Sequence, residues 1–158
     1  MSDQFTTKPF FFSRKDVNLI DSVNEELIDE IIGQYVDIYK IDTEETESNL
    51  YGESSAKYYN RGFRVNCLLL YNEPEVLQDD FGADVNSSIE MYFHRTTLSE
   101  AGFYPEIGDI VHWNDIYFEM NTVIEPQLLA GHTDYKHQIK ATAHRTRLSS
   151  LQIEEIRR

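Results

Sequence analysis

The sequence predicts a mainly β domain: a small antiparallel β-barrel or sandwich with one N-terminal amphipathic helix, long acidic loops and extended terminal arms. Hydrophobic residues make up 41% of the chain and aromatic residues 13%, a composition that favours strands over disorder. After residue 57, apolar and polar residues alternate in several runs, whereas only one stretch has helical periodicity. The 158 residues suit one domain at 19–148, between an N-terminal arm at 1–18 and a C-terminal tail at 149–158.

One amphipathic helix is predicted at about residues 20–35. Ser22 is the expected N-cap, and Glu25 three positions later completes a capping box. Apolar residues then recur at helical spacing, with acidic residues on the other side. The apolar set is Leu27, Ile28, Ile31, Ile32 and Tyr35.

The segments that follow the helix alternate in the manner of strands. In each run, every second residue is apolar and is predicted to face the core. Five or so antiparallel strands around one core indicate a small barrel or sandwich. The predicted strand runs lie at 36–41, 58–71, 87–95, 110–113, 116–123 and 135–148.

The block FYPEIGDIVHWNDIYFEMNTV at 103–123 predicts a β-hairpin. A Pro and a Gly-Asp step break the chain before the strand IVHW, and an Asn-Asp pair forms the turn to the return strand. Gly108 supplies a backbone angle that other residues resist. Trp113 is expected to pack on the core or against a neighbouring subunit, so the block is predicted to be framework. Its structural residues are Pro105, Gly108, Asp109, Trp113, Asn114, Asp115 and Phe118.

Two acidic stretches without periodicity, at 42–53 and 73–84, are predicted to be exposed loops. Long loops of this kind in small domains are usually functional or disordered. They are therefore candidates for partner contact. Their acidic residues include Asp42, Glu44, Glu45, Glu47, Glu53, Glu73, Glu75, Asp79 and Asp80.

The formal net charge of −14 disfavours a general nucleic-acid coat, because phosphate binding uses Lys and Arg. Acidic residues predominate from Asp16 to Glu53, and basic residues from His132 to Arg158. Such opposite ends permit head-to-tail association between copies, including closed rings, or pairing within one monomer. The candidate subunit or partner contacts are Phe10, Phe11, Phe12, Arg145, Arg147, Arg157 and Arg158.

Sequence motifs of catalysis or metal binding are not found. The five His residues have no spacing typical of metal ligands, and no nucleophile elbow, P-loop or dinucleotide fingerprint occurs. The single cysteine, Cys67, excludes an internal disulfide and lies in an apolar run typical of a buried side chain. We therefore expect no enzyme, no cofactor and no metal site.

The N-terminus has no signal-peptide pattern, and no apolar run approaches the length of a membrane span. We therefore expect a protein made in the cytoplasm, with no membrane partner.

Roughly residues 51–153 resemble neck, or head-completion, proteins of contractile-tailed, T4-like bacteriophages. The resemblance rests on LYGESSAKYYNRGFRVNCLLLY, on PEIGDIVHWNDIYFEMNTVIEPQLLAG and on the closing HRTRLSSLQI. It implies a non-enzymatic virion protein that forms a hexameric or dodecameric ring and closes the DNA-filled head. The implied neighbours are portal and adaptor proteins above, and tail-terminator or tail proteins below. Double-stranded DNA would pass without sequence-specific binding.

An acidic lumen would suit such a channel, because repulsion keeps the duplex from adhering to the wall. The stretches 42–53 and 73–84 are then candidates for the lumen or for docking faces. Two alternatives stay open. One is a tail-terminator or tail-completion ring protein, and the other is a cytoplasmic β-barrel adaptor or ligand-binding module with a discrete pocket and no ring.

Overall fold

One curved antiparallel sheet dominates the chain, which we describe from a computed structural model. The structure describes residues 13–41, 57–60, 62–79, 82–125, 136–146 and 151–153, with the backbone alone at 57–58, 73, 75–79, 82–85 and 151–153. The elements in chain order are α1 (Arg14–Glu26), a π-helical turn (Leu27–Ile32), β1 (Tyr35–Tyr39), β2 (Lys57–Tyr59), β3 (Phe63–Asn66), β4 (Leu68–Asp79), β5 (Gly82–His94), α2 (Arg95–Glu100), β6 (Ile110–Trp113), β7 (Ile116–Ile124), β8 (Gln138–Arg145) and β9 (Leu151–Ile153).

Helix α1 and the π-helical turn together form the N-terminal helix, which begins at Arg14, inside the segment predicted as an arm. Its N-cap is Ser13, whose backbone N–H and hydroxyl both donate to Oδ2 of Asp16 at 2.7 Å. The prediction of Ser22 as N-cap is therefore wrong. Ser22 lies inside the helix, where its hydroxyl donates to the Leu19 carbonyl at 3.0 Å. The Ser13–Asp16 pair supplies the capping box earlier in the chain.

Seven strands pair antiparallel in the order β3-β1-β6-β7-β8-β5-β4. The two edge strands, β3 and β4, are consecutive in the chain and are separated only by Cys67. The run predicted as one strand at 58–71 is thus divided into separate strands. Because β3 and β4 are opposite edges of the sheet but adjacent in the chain, the sheet curls and brings its two edges together. The predicted mainly β class is confirmed. The sheet is not closed into a barrel by any ladder in the described part of the chain.

The inward faces of the strands meet in one apolar core, because alternate residues of a strand point to the same side. Small and large side chains interdigitate there: Ala143 is the register partner of both Ile89 on β5 and Met120 on β7. The core residues are Val36, Ile38, Val65, Cys67, Leu69, Ile89, Met91, Phe93, Leu98, Val111, Phe118, Met120, Ile139, Ala141 and Ala143.

The stretch 73–84, predicted as an acidic loop, forms instead the distal part of the β4–β5 hairpin. Its ladder runs on to the pair Asp79–Gly82, with an irregularity between Asn72 and Glu75. Pro74 lies inside that irregularity. A proline has no N–H to donate, so here it interrupts the ladder as a bulge instead of ending the strand.

The predicted C-terminal tail contributes a short strand. β9 pairs in parallel with β2 to form a separate two-stranded sheet, with Lys57 opposite Leu151 and Tyr59 opposite Ile153. β2 is attached to the main sheet beyond β1, because Ile41 bridges to Tyr59. The tail segment is therefore extended where the structure describes it.

We expect Phe118→Ala to lower the free energy of unfolding by about 3–5 kcal/mol, because Phe118 is fully buried and its loss leaves a cavity in the core. Thr122→Ala, at an exposed position on the same strand, is the control and is expected to cost less than about 1 kcal/mol. Urea unfolding measures both. Equal losses for the two variants would contradict a single continuous core.

Candidate functional site

The first turn of the 103–123 hairpin is built around the fully buried carboxylate of Asp109. Its Oδ2 accepts a hydrogen bond from the Glu106 N–H at 2.8 Å. Gly108 has a φ of +95°, a conformation that residues with a Cβ rarely adopt, and its N–H donates to the Met120 carbonyl at 2.9 Å. The Met120 N–H returns a 2.9 Å bond to the Asp109 carbonyl. The turn, which follows the buried Pro105, is thereby fastened to β7.

The second turn is the tip of the hairpin. Asn114 and Asp115 have φ values of +50° and +60°, the left-handed pair that a tight two-residue β-turn requires. Trp113 is half-buried and packs on the core of its own chain, with its ring 5.6 Å from that of Tyr71. Phe118 is fully buried in the same core. All seven predicted hairpin residues thus occupy framework positions.

Burial raises the pKa of Asp109, while the Glu106 N–H and the Lys40 ammonium, 3.8 Å from Oδ2, act in the opposite direction. Lys40 itself binds Glu106 at 3.0 Å. Tyr59 lies in the same region, and burial, followed by the charges of Glu119 and Asp109, raises its pKa to about 12. The Asp109 carboxyl lines none of the clefts described below.

A second polar cluster attaches the N-terminal helix to the sheet. His94, which ends β5 and is almost fully buried, places Nε2 2.9 Å from Oδ1 of Asp21. The other oxygen of Asp21 accepts a 3.0 Å bond from the Thr96 hydroxyl. Burial lowers the pKa of the neighbouring His137; the charge of Asp21 raises it by less, and His94 lowers it further. We call the contacts of Asp21 with His94 and Thr96 the helix latch.

The helix latch places an acid on one ring nitrogen of His94 and a threonine hydroxyl beside the other. Nδ1 of His94 lies 3.0 Å from the Thr97 hydroxyl and also accepts the Thr97 backbone N–H at 3.4 Å. Nδ1 is therefore an acceptor, Nε2 carries the proton, and that proton is donated to Asp21. His94 acts as the N-cap of α2. Its ring also lines a cleft of about 290 Å³ beside the N-terminal helix.

An open cleft of about 470 Å³ lies between the end of the N-terminal helix and the hairpin tip. Arg64 crosses it, with a two-pronged bond to Asp37 at 2.8 and 3.0 Å and its guanidinium 4.2 Å from the centre of the Tyr35 ring. Because Asp37 binds the edge of this guanidinium and the Tyr35 ring lies against its face, the cleft presents no unpaired charge from Arg64. Its walls are Gly33, Gln34, Tyr35, Asp37, Arg64, His112, Trp113, Asn114 and Asp115.

Nowhere in the described ranges do three or more His, Cys, Asp or Glu side chains gather in a way that suits a metal ion. No helix in the same ranges is long and apolar enough to cross a membrane.

Most of the predicted contact residues lie outside the described ranges and stay predictions. Among the rest, Arg145 is exposed at the end of β8, and the backbones of Glu73, Glu75 and Asp79 lie on β4. The helix latch was missed, because 73 residues separate Asp21 from His94 and no local pattern joins them. The predicted positions outside the described ranges are Phe10, Phe11, Phe12, Asp42, Glu44, Glu45, Glu47, Glu53, Asp80, Arg147, Arg157 and Arg158.

The buried carboxyl of Asp109 predicts a specific pH dependence of stability. Its folded pKa is raised above the ordinary value of 3.8, so its stabilising contribution is complete below that value and is lost as pH rises through the folded pKa. Asp109→Asn removes the titration and keeps an acceptor for the Glu106 N–H. We expect the stability difference between variant and parent to move in favour of the variant from about pH 4 to about pH 7. Urea unfolding at several pH values measures it, and a constant difference would contradict it.

Asp21→Ala is expected to loosen the N-terminal helix while leaving the sheet intact, because the buried His94 loses its acceptor. The cost is about 1–3 kcal/mol. Amide hydrogen exchange is expected to accelerate in α1 and to stay unchanged in β5 and β8. Asn18→Ala, at an exposed position on the same helix, is the control. Unchanged exchange in α1 of the Asp21 variant would show that the latch does not hold the helix.

Comparison with known proteins gives similarities to solved structures and none to sequences or families. No protein-family model matches the chain, and no characterised protein sequence matches it. Among solved structures, a chain from the virion of a native gene transfer agent particle aligns over 72% of this chain and 94% of its own length. The TM-score is 0.46 and the sequence identity 10%. We draw no conclusion about function from a similarity of this size.

Proposed function

We propose that this protein is a structural component of a phage-type virion neck. In this proposal, copies form a ring below the portal and adaptor, close the filled head and offer the surface to which the tail attaches. The protein acts by assembly and not by catalysis. Its place is the finished virion, after synthesis in the host cytoplasm.

One observation carries the proposal: the residues through which the resemblance runs occupy framework positions. Gly108 and the Asn114–Asp115 pair hold left-handed backbone conformations, and Asp109 and Phe118 are fully buried. A pattern set by backbone geometry and burial is characteristic of a shared fold. The resemblance to neck proteins therefore concerns how the sheet is built. In the proposal, the partners are determined by the surfaces of the protein.

The charge of the chain supports a role beside DNA without binding it. A net charge of −14 repels a duplex, so a ring of such subunits would let DNA pass without adhering to the wall. In the proposal, the stretch 42–53 and the distal part of the β4–β5 hairpin face the lumen or a docking partner. The distal hairpin suits this role because its ladder runs on to Asp79 and Gly82, past Leu69 and Met91, a register pair that lies in the core.

The test is the stoichiometry of the native assembly. We expect native mass spectrometry of the purified protein to give six or twelve times the subunit mass of 18.5 kDa, and electron microscopy to show a ring. A protein that stays monomeric, both alone and in virions, would contradict the proposal.

Fractionation of particles separates the neck from the tail terminator. A neck protein is expected to stay with filled heads when tails are absent, whereas a tail-terminator protein would stay with isolated tails when heads are absent. A monomer with a bound small ligand and no virion association would instead identify an adaptor or ligand-binding module.

A further inference from the structure

The N-terminal helix carries an exposed apolar stripe, which we call the helix stripe. It consists of Leu19, Val23, Leu27 and Ile31, which follow one another at intervals of four and so lie along one side. The most exposed are Leu19, at 62%, and Ile31, at 69%. No residue of this helix is buried.

The opposite side of the helix already has a neighbour. Ile28 and Ile32 are half-buried and face a cleft of about 290 Å³ whose far wall includes Leu68 and Phe93; Leu27, at the edge of the stripe, also lines it. The helix latch holds that side in place through Asp21. A helix of a soluble protein normally has one apolar side, and it faces the core. A second apolar side directed outward is typical of a surface that another protein covers.

The charge around the helix stripe restricts what can cover it. The N-terminal helix contains six carboxylates, all between Asp16 and Glu30, against the two cations Arg14 and Lys15 in its first turn. Glu26 and Glu30 are exposed and lie among the stripe residues. A second helix stripe would bring like charges together, and DNA or an anionic membrane would be repelled. The occupant must therefore be cationic as well as apolar.

The same chain presents a surface of this kind elsewhere, which we call the basic patch: Arg95, Tyr104, Ile124 and Lys136. Tyr104 and Ile124 are exposed large apolar side chains. Arg95 and Lys136 both bind the single carboxylate of Glu125, at 3.4 and 3.0 Å, so one positive charge is left in excess. An adjoining cleft of about 260 Å³ has an apolar floor that includes Leu98, Phe103 and Ile139.

We propose that the helix stripe of one copy docks on the basic patch of a second copy. The two surfaces differ from each other and are both exposed within one copy, so each contact leaves one free stripe and one free patch. Contacts of this kind are heterologous and build rings or chains. This inference rests on the proposed ring, and it names the surfaces that would join neighbouring subunits.

The test uses the alkylation rate of a cysteine placed in the helix stripe of the full chain. Ile31→Cys supplies an exposed thiol, whereas Cys67 is buried and its pKa is raised to about 12, so it does not react at neutral pH. Asn18→Cys, exposed on the same helix outside the stripe, is the control. We expect the reaction of Ile31→Cys with iodoacetamide to slow by about fourfold when the total protein concentration exceeds the dissociation constant tenfold, by mass action between surfaces present in equal amounts. The control rate is expected to stay constant.

Charge exchange identifies the partner surface. Arg95→Glu is expected to abolish the protection of Ile31→Cys, and Glu30→Lys in the same chain is expected to restore it. Arg145→Glu makes the same charge change at the far end of β8 and is expected to leave the protection intact. Loss of protection with Arg145→Glu but not with Arg95→Glu would place the partner surface at the end of β8 and overturn the inference.

Three further outcomes would overturn the inference. Protection that does not depend on concentration would mean that the chain covers its own helix stripe. Rings in which Ile31→Cys reacts as fast as the control would leave the proposed function standing without this contact. An unprotected Ile31→Cys in a chain that stays monomeric would remove both the contact and the ring.

Discussion

The structure depends on burying one continuous apolar face inside a sheet that turns back on itself at Cys67. β3 and β4 are the two edges of the sheet, yet a single residue separates them in the chain. This constraint fixes the pairing register of every ladder, because a strand that slipped by one residue would turn all its inward side chains to solvent. The small side chains of Ala141 and Ala143 opposite Met91 and Ile89 let the curved faces approach closely enough to exclude water.

Two buried polar contacts attach the remaining parts to this core. Asp109 fastens the hairpin turn at Glu106 to the sheet, and the helix latch fastens the N-terminal helix. Both use a carboxylate as the acceptor for groups that would otherwise be buried without a partner. Such contacts contribute specificity of position more than net stability, because desolvation offsets much of the attraction. They explain why titratable groups lie in the interior of a protein whose proposed role needs no catalysis.

Framework and working surface are therefore separate in this protein. The 103–123 hairpin block forms part of the sheet. This block carries the resemblance to neck proteins. The surfaces proposed for partners are the helix stripe, the basic patch, to which the block contributes Tyr104, and the acidic distal end of the β4–β5 hairpin. A rigid core with distinct surfaces on its outside suits a subunit that contacts several different neighbours at once.

The sequence by itself determined the mainly β class, the hairpin and the inward faces of β5, β7 and β8, because turn residues and two-residue alternation act locally. The predicted helix start is wrong, because Ser13 with Asp16 and Ser22 with Glu25 both have the three-residue spacing of a capping box. The sequence also predicted an exposed loop at 73–84, whereas pairing with β5 carries β4 past Pro74. Only the tertiary structure decided these points, together with the latch between Asp21 and His94 and the exposure of the helix stripe. Each depends on residues distant in the chain, whose proximity no local pattern encodes.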